Sequence, residues 1–463
     1  MNNFAKSDQG LWLKNPVFIS FSFALVVFIV RVFLRATTLE MDEAEQVVMA
    51  QQLLPGYPAQ PPLYTWLQYG LFSLFGRSLA SIALLKSTLL WGSLYCFHRI
   101  CRLHCSSHAF AWCATAAWAF LPAISYDLMK DNTHSVFVLL AASLTWYWFV
   151  APSRLNKPLW YFLFGVITGI GLLSKFNYLL FLALLFLSAC TVPQYRKKVI
   201  HPGMLLSLAV AMLLASPYFF WLINHPNLGL HSSYKFMPNE HLGYGVFKLV
   251  IAMAYFILPF LLVSYSFFPL RRGIPPSTVA NQLLLRFHLI SVPFLLALVL
   301  LGGIGHIETR WLIPILFLFP VLYFSFQQGE PSHYAAFLLA CILVQSLLFA
   351  SLIYRSHFGH TARNRFPVHL AVEDIKKEKR RFEHIASDSF WILGNLMIDL
   401  SIKTGWLIHP AALPATLPAN TLFVWQTTTP PEWTNYFLPP TTVVQSKTIV
   451  EPLHLSVKGG FVY

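Results

Sequence analysis

Four carboxylates stand close together in a chain that has few of them. Glu40, Asp42, Glu43 and Glu45 follow the first long apolar run, whereas the whole chain has 18 Asp and Glu against 32 Lys and Arg in 463 residues. An acid-poor chain that gathers its carboxylates at a membrane edge is expected to use them, because ionisable groups at membrane depth are costly and usually mark a pathway or a reaction site. The cluster is therefore a candidate for chemistry. The alternative is a solvated turn whose acids cap the following helix, with Asp42 or Glu43 near its start.

Four further polar segments separate the apolar runs that follow. They are residues 126–134 with Asp131, residues 173–177 with Lys175, residues 221–244, and residues 302–311 with His306, Glu308 and Arg310. Lys175 is the most informative of these, because a loop so short must lie close to the membrane surface. The histidines of residues 221–244 are typical of an ordinary surface loop.

The composition indicates that membrane helices position these residues. The chain is 56% hydrophobic, 16% aromatic and only 11% charged, which is far from the average of soluble domains. Apolar runs of membrane-crossing length recur along most of it. This pattern predicts an α-helical polytopic membrane protein embedded in the lipid bilayer. The excess of basic residues is interpreted as a topology signal, and no nucleic acid is expected as a partner.

Eleven membrane spans are predicted from the apolar runs. Their bounds are 16–36, 79–97, 109–125, 134–150, 160–174, 176–192, 203–222, 246–268, 287–304, 310–326 and 333–353. A helix needs about 20 mostly apolar residues to cross the hydrocarbon core. The predicted organisation is a transmembrane catalytic domain over residues 1–355 and an extracytoplasmic soluble domain over residues 356–463.

The basic residues are distributed unequally between the two sides of this arrangement. One side receives Lys6, Lys14, Arg99, Arg102, Arg154, Lys157, Arg196, Lys197, Lys198, Arg271, Arg272 and Arg286. The other side receives single cations: Arg77, Lys130, Lys175, Lys235 and Arg310. Because cytoplasmic loops are rich in Lys and Arg, the N-terminus is predicted to be cytoplasmic. All five polar segments then emerge on the extracytoplasmic face of a cell inner (plasma) membrane, where they predict one site.

Residues 356–463 change character and predict a small α/β domain. The charged run 373–381 is typical of a solvated helix, and the segments 421–425 and 441–444 are typical of short strands. An odd number of spans places this domain outside the cytoplasm. The six cysteines fall outside the predicted extracytoplasmic segments, so no disulfide framework is expected.

The order of the polar motifs resembles a known family. The motifs are Asp42-Glu43, Pro61-Pro62-Leu63-Tyr64, Asp131-Asn132-Thr133, Leu172-Leu173-Ser174-Lys175-Phe176 and Arg310-Trp311-Leu312-Ile313-Pro314. This order resembles the family 39-type GT-C glycosyltransferases, which include the protein O-mannosyltransferases and are similar to the lipid A aminoarabinose transferases. The resemblance covers residues 15–355 and implies sugar transfer from a polyprenyl-phosphate-linked donor at the extracytoplasmic leaflet, with inversion at the anomeric carbon. The acceptor would be a lipid, a protein or a glycan.

The resemblance also implies roles for four charged residues. Such a reaction needs a carboxylate to deprotonate the acceptor hydroxyl and cations to stabilise the departing lipid phosphate. Asp42 matches the acidic residue of the first loop and is assigned as base or acceptor-positioning group, with Glu43 supporting it or binding the acceptor. Lys175 and Arg310 match the phosphate-binding cations, one as a point charge and the other as a bidentate fork.

Other residues are expected to contact the substrates. Asp131 resembles the acid of the second loop and would orient the site, and Tyr64 belongs to the Pro-Pro motif. His306 and Glu308 are candidates for contacts with the sugar or the acceptor, or for a divalent metal, which is a possible cofactor.

One departure from the family pattern bears on specificity. The aminoarabinose transferases have a charged pair just before the Pro-Pro, whereas this chain has Ala59 and Gln60. The change removes a cation and a potential metal ligand, which argues against lipid A modification. Gln60 retains the ability to hydrogen-bond a sugar or a phosphate.

A transporter or flippase of a lipid-linked saccharide is the alternative function. Such proteins typically have inverted repeats and broken helices with charges near the bilayer midplane. No internal repeat is visible in this sequence, and the charges gather at one face. A purely structural membrane protein would need no acid cluster.

Overall fold

A computed structural model describes most of the chain. The described residues are 15–229, 242–270, 278–329, 331–359, 368–377, 382–408, 414, 416–418, 420–425, 431–437, 446–450 and 457–461. Long helices dominate up to residue 358, and a small sheet with two helices follows. In chain order the helices up to that point are α1 (Pro16–Leu34), α2 (Met41–Met49), α3 (Leu63–Phe75), α4 (Leu79–His104), α5 (His108–Phe120), α6 (Ala123–Lys130), α7 (Thr133–Val150), α8 (Lys157–Leu172), α9 (Tyr178–Cys190), α10 (Pro193–Val199), α11 (Gly203–Asn224), α12 (Pro226–Gly229), α13 (Leu242–Phe267), α14 (Val279–Leu301), α15 (Thr309–Ser325) and α16 (Tyr334–Phe358).

Seven helices of the described residues are long and apolar enough to cross a membrane: α1, α4, α7, α11, α13, α14 and α16. The pair α5 and α6 would form an eighth span, bent by 69°. The other predicted spans coincide with α8, α9 and α15, which are helices of 10 to 17 residues. At a rise of 1.5 Å per residue these cover at most about 25 Å, less than a hydrocarbon core of about 30 Å. Helical membrane architecture is confirmed, while the count of eleven spans stays a prediction.

The chain forms two compact units. The first unit contains residues 1–27, 55–64 and 86–349, and the second contains residues 28–54, 65–85 and 350–463. Residues near the N-terminus thus group with the C-terminal residues in the second unit. The predicted domain boundary at residue 355 stays a prediction.

Helix α7 is the most enclosed long helix of the first unit. Of its 18-residue window, 78% is buried inside the protein, against 17% for α16. A helix that is apolar on all sides is enclosed either by lipid or by neighbouring helices, and neighbouring helices enclose α7. The polar residues of its first turn, Thr133, His134 and Ser135, are therefore buried as well.

The second unit contains a five-stranded sheet. Its strands are β1 (His384–Ser387), β2 (Thr404–Leu407), β3 (Thr421–Trp425), β4 (Ser446–Val450) and β5 (Val457–Phe461), and its order is β2-β1-β3-β5-β4. Strands β2, β1 and β3 are parallel, whereas β3, β5 and β4 are antiparallel. The predicted strand over 421–425 and the small α/β region are confirmed. The predicted strand over 441–444 lies outside the described residues.

Two helices accompany this sheet: α17 (Val368–Lys377) and α18 (Phe390–Asp399). Helix α17 overlaps the predicted solvated helix, whose residues 378–381 lie outside the described residues. Helix α18 packs closely on α2, and a Cβ added to Gly394 would lie 2.6 Å from the Ala44 carbonyl oxygen. Glycine is needed there because the two backbones approach so closely. The core of the second unit therefore includes the helix that carries the acid cluster.

Candidate functional site

The acid cluster lies at the start of α2, with Asp42 and Glu43 in its first turn and Glu45 in the turn that follows. Glu40 is the N-cap residue, and the Glu43 carboxylate accepts a hydrogen bond of 2.9 Å from the Glu40 backbone N–H, as in a capping box. Glu40 and Glu43 therefore cap the helix. Helix capping was the alternative to a chemical role that the sequence left open for this cluster. Asp42, also in the first turn, is partly exposed.

Glu43 is held in a buried ion pair with Arg31 of α1. The Arg31 Nε and Nη2 atoms donate to its two carboxylate oxygens at 2.7 and 2.5 Å, and the side chains are 5% and 1% exposed. Arg31 also donates to the carbonyls of Ala36 and Thr38, at 2.9 and 3.1 Å. Both oxygens of Glu43 are thus occupied by a bidentate, charge-assisted contact. This geometry favours a structural role for Glu43 over the predicted contact with the acceptor.

The turn that leads into α2 is fixed on both sides. Arg35 pairs with Glu40 at the start of the turn. Across the turn, the Asn395 side-chain oxygen of α18 accepts from the Leu39 N–H at 2.8 Å, and the Trp391 indole donates to the Leu39 carbonyl at 2.7 Å. The C-terminal residues of the second unit therefore hold the backbone immediately before Asp42. A group that must meet a substrate in a defined orientation benefits from such support.

In the first unit, the polar motifs meet at the start of α7. Asn132 precedes the helix with φ of +65°, a left-handed conformation that Asn tolerates better than most residues. Its side-chain amide donates to the Asp127 carbonyl at 3.1 Å. This turn lies immediately before the first backbone N–H groups of α7, where the partial positive charge of a helix is concentrated.

Two buried lysines contact this turn. Lys175 is 8% exposed and its Nζ donates to the Ser135 hydroxyl at 2.6 Å. Lys86 of α4 is 5% exposed and its Nζ donates to the Asp131 carbonyl at 2.8 Å. Lys175 was predicted from the sequence, whereas Lys86 was not. Lys86 could have been found because it is a single cation inside a predicted span, and such residues usually face a polar interior.

Arg310 contacts the same turn from α15. Its Nη1 donates to the Asn132 side-chain oxygen at 3.2 Å. Glu308 lies between Arg310 and His306, with carboxylate contacts of 3.8 and 3.1 Å. The three side chains are 29%, 37% and 49% exposed, in the order Arg310, Glu308 and His306. The predicted candidates of this loop are thus together, and Arg310 connects them to α7.

The Pro-Pro motif approaches α7 through aromatic packing. Tyr64 is fully buried, and its ring centroid lies 5.2 Å from that of His134. Gln60 is only partly buried, and it pairs with Tyr57 as an isolated antiparallel bridge. Ala59 between them has φ of +67°. Tyr64 therefore supports the start of α7 from within the core, whereas Gln60 remains on a partly exposed turn.

The arrangement around α7 is suited to an anion. Lys86, Lys175 and Arg310 surround a helix N-terminus, and together these features form a site for phosphate or carboxylate. The hydroxyl of Thr133, the first residue of α7, is buried and has no hydrogen-bond partner among the described residues. A bound anion offers that hydroxyl an acceptor. Asp131, in the same turn, is partly exposed.

A cation site receives less support from the structure. No group of three or more His, Cys, Asp and Glu side chains among the described residues could hold a metal ion. His306 and Glu308 therefore pair with each other without a third ligand of these types.

The comparisons with known proteins agree on a class of enzyme. Residues 59–221 match the family described as dolichyl-phosphate-mannose-protein mannosyltransferase. Two lipopolysaccharide core galacturonosyltransferases of Rhizobium johnstonii, RgtB and RgtA, are similar to the chain. RgtB is 29% identical over 82% of this chain and 82% of its own length, and RgtA is 27% identical over 80% and 78%.

The fold is similar to that of ArnT from Cupriavidus metallidurans. The crystal structure of that protein bound to undecaprenyl phosphate matches with a TM-score of 0.65 and 12% identity, over 96% of this chain and 97% of that chain. Its apo form matches with a TM-score of 0.63. The fold similarity and the sequence matches confirm the resemblance carried by the motifs: this chain has the multi-pass helical fold of the GT-C type and is similar in sequence to membrane glycosyltransferases.

Proposed function

We propose that this protein transfers a sugar from a polyprenyl-phosphate donor to a hydroxyl group of a lipopolysaccharide core, at the extracytoplasmic face of the inner membrane. The acceptor oxygen would attack the anomeric carbon while the bond to the lipid phosphate breaks, so that the configuration inverts. The acceptor class comes from RgtA and RgtB, and galacturonic acid is the first sugar to test.

The three cations at the start of α7 are the observation that carries this proposal. Lys175, Lys86 and Arg310 contact one short turn at 2.6, 2.8 and 3.2 Å. A departing lipid phosphate develops negative charge, which preorganised cations and helix N–H groups stabilise without further reorganisation. The undecaprenyl phosphate in the ArnT structure supports a carrier of the same class here.

We assign the base role to Asp42 alone. Glu43 is committed to Arg31, whereas Asp42 is partly exposed in the same helical turn. A general base must be able to reach the acceptor hydroxyl, and of the two acids only Asp42 has an exposed part. Glu43 then contributes indirectly, because its ion pair with Arg31 holds α2 in place.

His306, Glu308, Asp131, Gln60 and Tyr64 are proposed to shape the substrate pockets. His306 and Glu308 are exposed enough to contact a sugar or acceptor directly, whereas Tyr64 acts from the core. Ala59 and Gln60 in place of a charged pair argue for an acceptor other than that of the aminoarabinose transferases.

A transfer assay with the purified full-length protein tests the proposal. The protein is reconstituted in nanodiscs with undecaprenyl-phosphate galacturonic acid and core lipopolysaccharide, and mass spectrometry follows the sugar. We expect the acceptor to gain one sugar and NMR to show inversion at its anomeric carbon. Absence of product with any polyprenyl-phosphate sugar would refute transfer, and retained configuration would refute the direct displacement by an Asp42-activated hydroxyl.

The same assay separates transfer from the alternative of a transporter or flippase. A flippase moves the lipid-linked sugar across the bilayer without breaking its bond to phosphate. The label would then remain on the polyprenyl carrier and appear in the opposite leaflet. Comparing envelope lipids of cells with and without the gene identifies the natural acceptor.

A further inference from the structure

An open cleft of about 400 Å³ lies in the second unit, formed by the end of α2, the polar side of α3 and the turn after α18. Its polar lining includes Gln51, Tyr69, Ser73, Arg77, Ser401 and Lys403. Clefts of this size that combine apolar walls with a few convergent polar groups are typical ligand sites. None of these residues has a role in the proposed sugar transfer.

Arg77 and Lys403 make this cleft electropositive. The Arg77 guanidinium donates to the backbone carbonyls of Ile402 and Lys403 at 3.2 and 2.9 Å, and its Nε is buried without a partner among the described residues. No acidic residue is among the lining residues that the structure describes. Burial raises the pKa of the Asp399 carboxyl at the end of α18, and the charges of Lys376 and His369 partly offset that shift.

The guanidinium is therefore charged and incompletely satisfied. Burial lowers the pKa of Arg77 from its ordinary value, but an arginine remains protonated at neutral pH. A partly desolvated cation without a counter-ion favours an anion over a neutral ligand. Phosphate and carboxylate match the planar fork of donors that arginine presents.

The turn that carries Lys403 is rigidly held. Ser401 has φ of +54°, and the two Arg77 contacts fix the carbonyls that follow. Gln51 at the end of α2 accepts from the Gly405 N–H at 2.8 Å and donates to its carbonyl at 2.9 Å. The cleft is thus formed before any ligand arrives, which reduces the entropic cost of binding.

The exposed apolar side chains of α3 indicate that lipid lies near this cleft. Leu67 and Leu74, seven residues apart and therefore on one face, are 39% and 76% exposed, and Phe75 beside them is 64% exposed. Tyr69 and Ser73 lie on the opposite face of the same helix. In a multi-pass membrane protein, an exposed apolar helix face of this kind is suited to contact with lipid. The cleft is then within about one helix diameter, roughly 10 Å, of the lipid.

We propose that the cleft formed by Arg77, Lys403 and the α3 polar face binds the phosphate group of an anionic lipid. Its position on the polar side of a lipid-facing helix suits a headgroup, and its two cations suit a phosphate monoester. The lipid is either a phosphorylated acceptor glycolipid or a phospholipid of the bilayer. Binding of an anionic lipid in this cleft does not depend on the proposed function. Only the identification of that lipid as the acceptor glycolipid rests on the proposed function.

Lipid binding to the full-length protein in detergent, followed by native mass spectrometry, tests the site. Phosphatidic acid is the probe and phosphatidylcholine the comparison lipid. We expect Lys403→Glu to weaken retention of phosphatidic acid at least about tenfold, because the substitution removes a charge-assisted hydrogen bond and adds a repulsive charge. Lys157→Glu makes the same charge change at an exposed residue of the first unit and is expected to have no effect.

Several outcomes would overturn the site. Equal loss in Lys403→Glu and Lys157→Glu would show general charge attraction. Equal retention of phosphatidylcholine, whose headgroup has no net charge, would exclude a site that prefers an anionic phosphate monoester. Arg77→Gln is a second variant that should also weaken retention. If it unfolds, Lys403→Glu decides alone, since the Lys403 side chain is exposed.

Kinetics distinguishes the two sources of phosphate. If the acceptor glycolipid occupies the cleft, Lys403→Glu raises the acceptor KM and leaves the donor KM unchanged. If a bilayer phospholipid occupies it, the acceptor KM is unchanged while phosphatidic acid retention falls. A protein that retains phosphatidic acid but transfers no sugar would keep this site and refute the proposed function.

Discussion

The ion pair between Arg31 and Glu43 offers a direct test of whether Glu43 is structural or catalytic. Both side chains are almost fully buried, and two hydrogen bonds of 2.7 and 2.5 Å join them. Glu43→Gln retains the size and one acceptor oxygen, but it leaves the Arg31 charge without its counter-charge. Removing one partner of a buried pair costs about 3–5 kcal/mol. This is a large part of a total stability of about 5–15 kcal/mol.

A double substitution isolates the pair from its surroundings. Arg31→Met with Glu43→Leu removes both charges and keeps most of the volume, and such replacements are often neutral or stabilising. We expect the double variant to be more stable than Glu43→Gln alone. Glu45→Gln on the same helix, at a partly exposed residue, is the control for loss of an acid in α2.

The assay is thermal unfolding of the purified protein in detergent, followed by tryptophan fluorescence, together with the transfer rate. A structural Glu43 predicts a clearly lowered unfolding temperature in Glu43→Gln and recovery in the double variant. A normal unfolding temperature with lost transfer would show that Glu43 acts in the chemistry and that our interpretation is wrong. Equal destabilisation in the single and double variants would show that the two charges are not coupled.

Four further predictions follow from the structure. Asp42→Asn should abolish transfer at an unchanged unfolding temperature, and near-normal activity would refute its role as base. Lys175→Ala and Arg310→Ala should each weaken binding of a polyprenyl-phosphate analogue about 10- to 100-fold, from the 1.5–3 kcal/mol of a charged hydrogen bond; unchanged donor affinity in both would refute the phosphate roles. Gly394→Ala should destabilise the protein by about 1–3 kcal/mol, because its methyl group would meet the α2 backbone at 2.6 Å, and an unaltered unfolding temperature would contradict this packing. A reporter fused after Tyr463 should be active only outside the cytoplasm, and a cytoplasmic signal would contradict the predicted topology.

The outline of the fold could be predicted from the sequence because the bilayer restricts what a chain can do. A long apolar run must form a helix in lipid, since no water is present to satisfy its backbone. The predicted runs therefore coincide with helices, and the strand over 421–425 was predictable from its β-branched and aromatic residues. The shorter helices α8, α9 and α15 show the limit of prediction from hydropathy, because length alone does not decide whether a buried helix crosses the membrane.

The contacts of the candidate site were less predictable. Lys175 and Arg310 were found because loop cations are sparse, but Lys86 is hidden inside an apolar helix. Arg31 precedes Glu43 by only twelve residues, yet no local pattern reveals a bidentate pair across a turn. Asn395 contacts Leu39 over 356 residues of chain, a distance at which sequence spacing carries no information about contact.

The sequence by itself determined the membrane class and the polar motifs, because hydropathy and residue chemistry are local properties, and the resemblance of those motifs to a known family implied sugar transfer. It also identified the acid cluster, in which the family resemblance assigned Asp42 as the base and Glu43 as its support. Only the tertiary structure decided which of these acids are buried and hydrogen-bonded, since burial and hydrogen bonding depend on neighbours elsewhere in the chain. Glu43 pairs with Arg31 and Glu40 with Arg35, whereas Asp42 and Glu45 are partly exposed, and the motif match makes Asp42 our choice for the base.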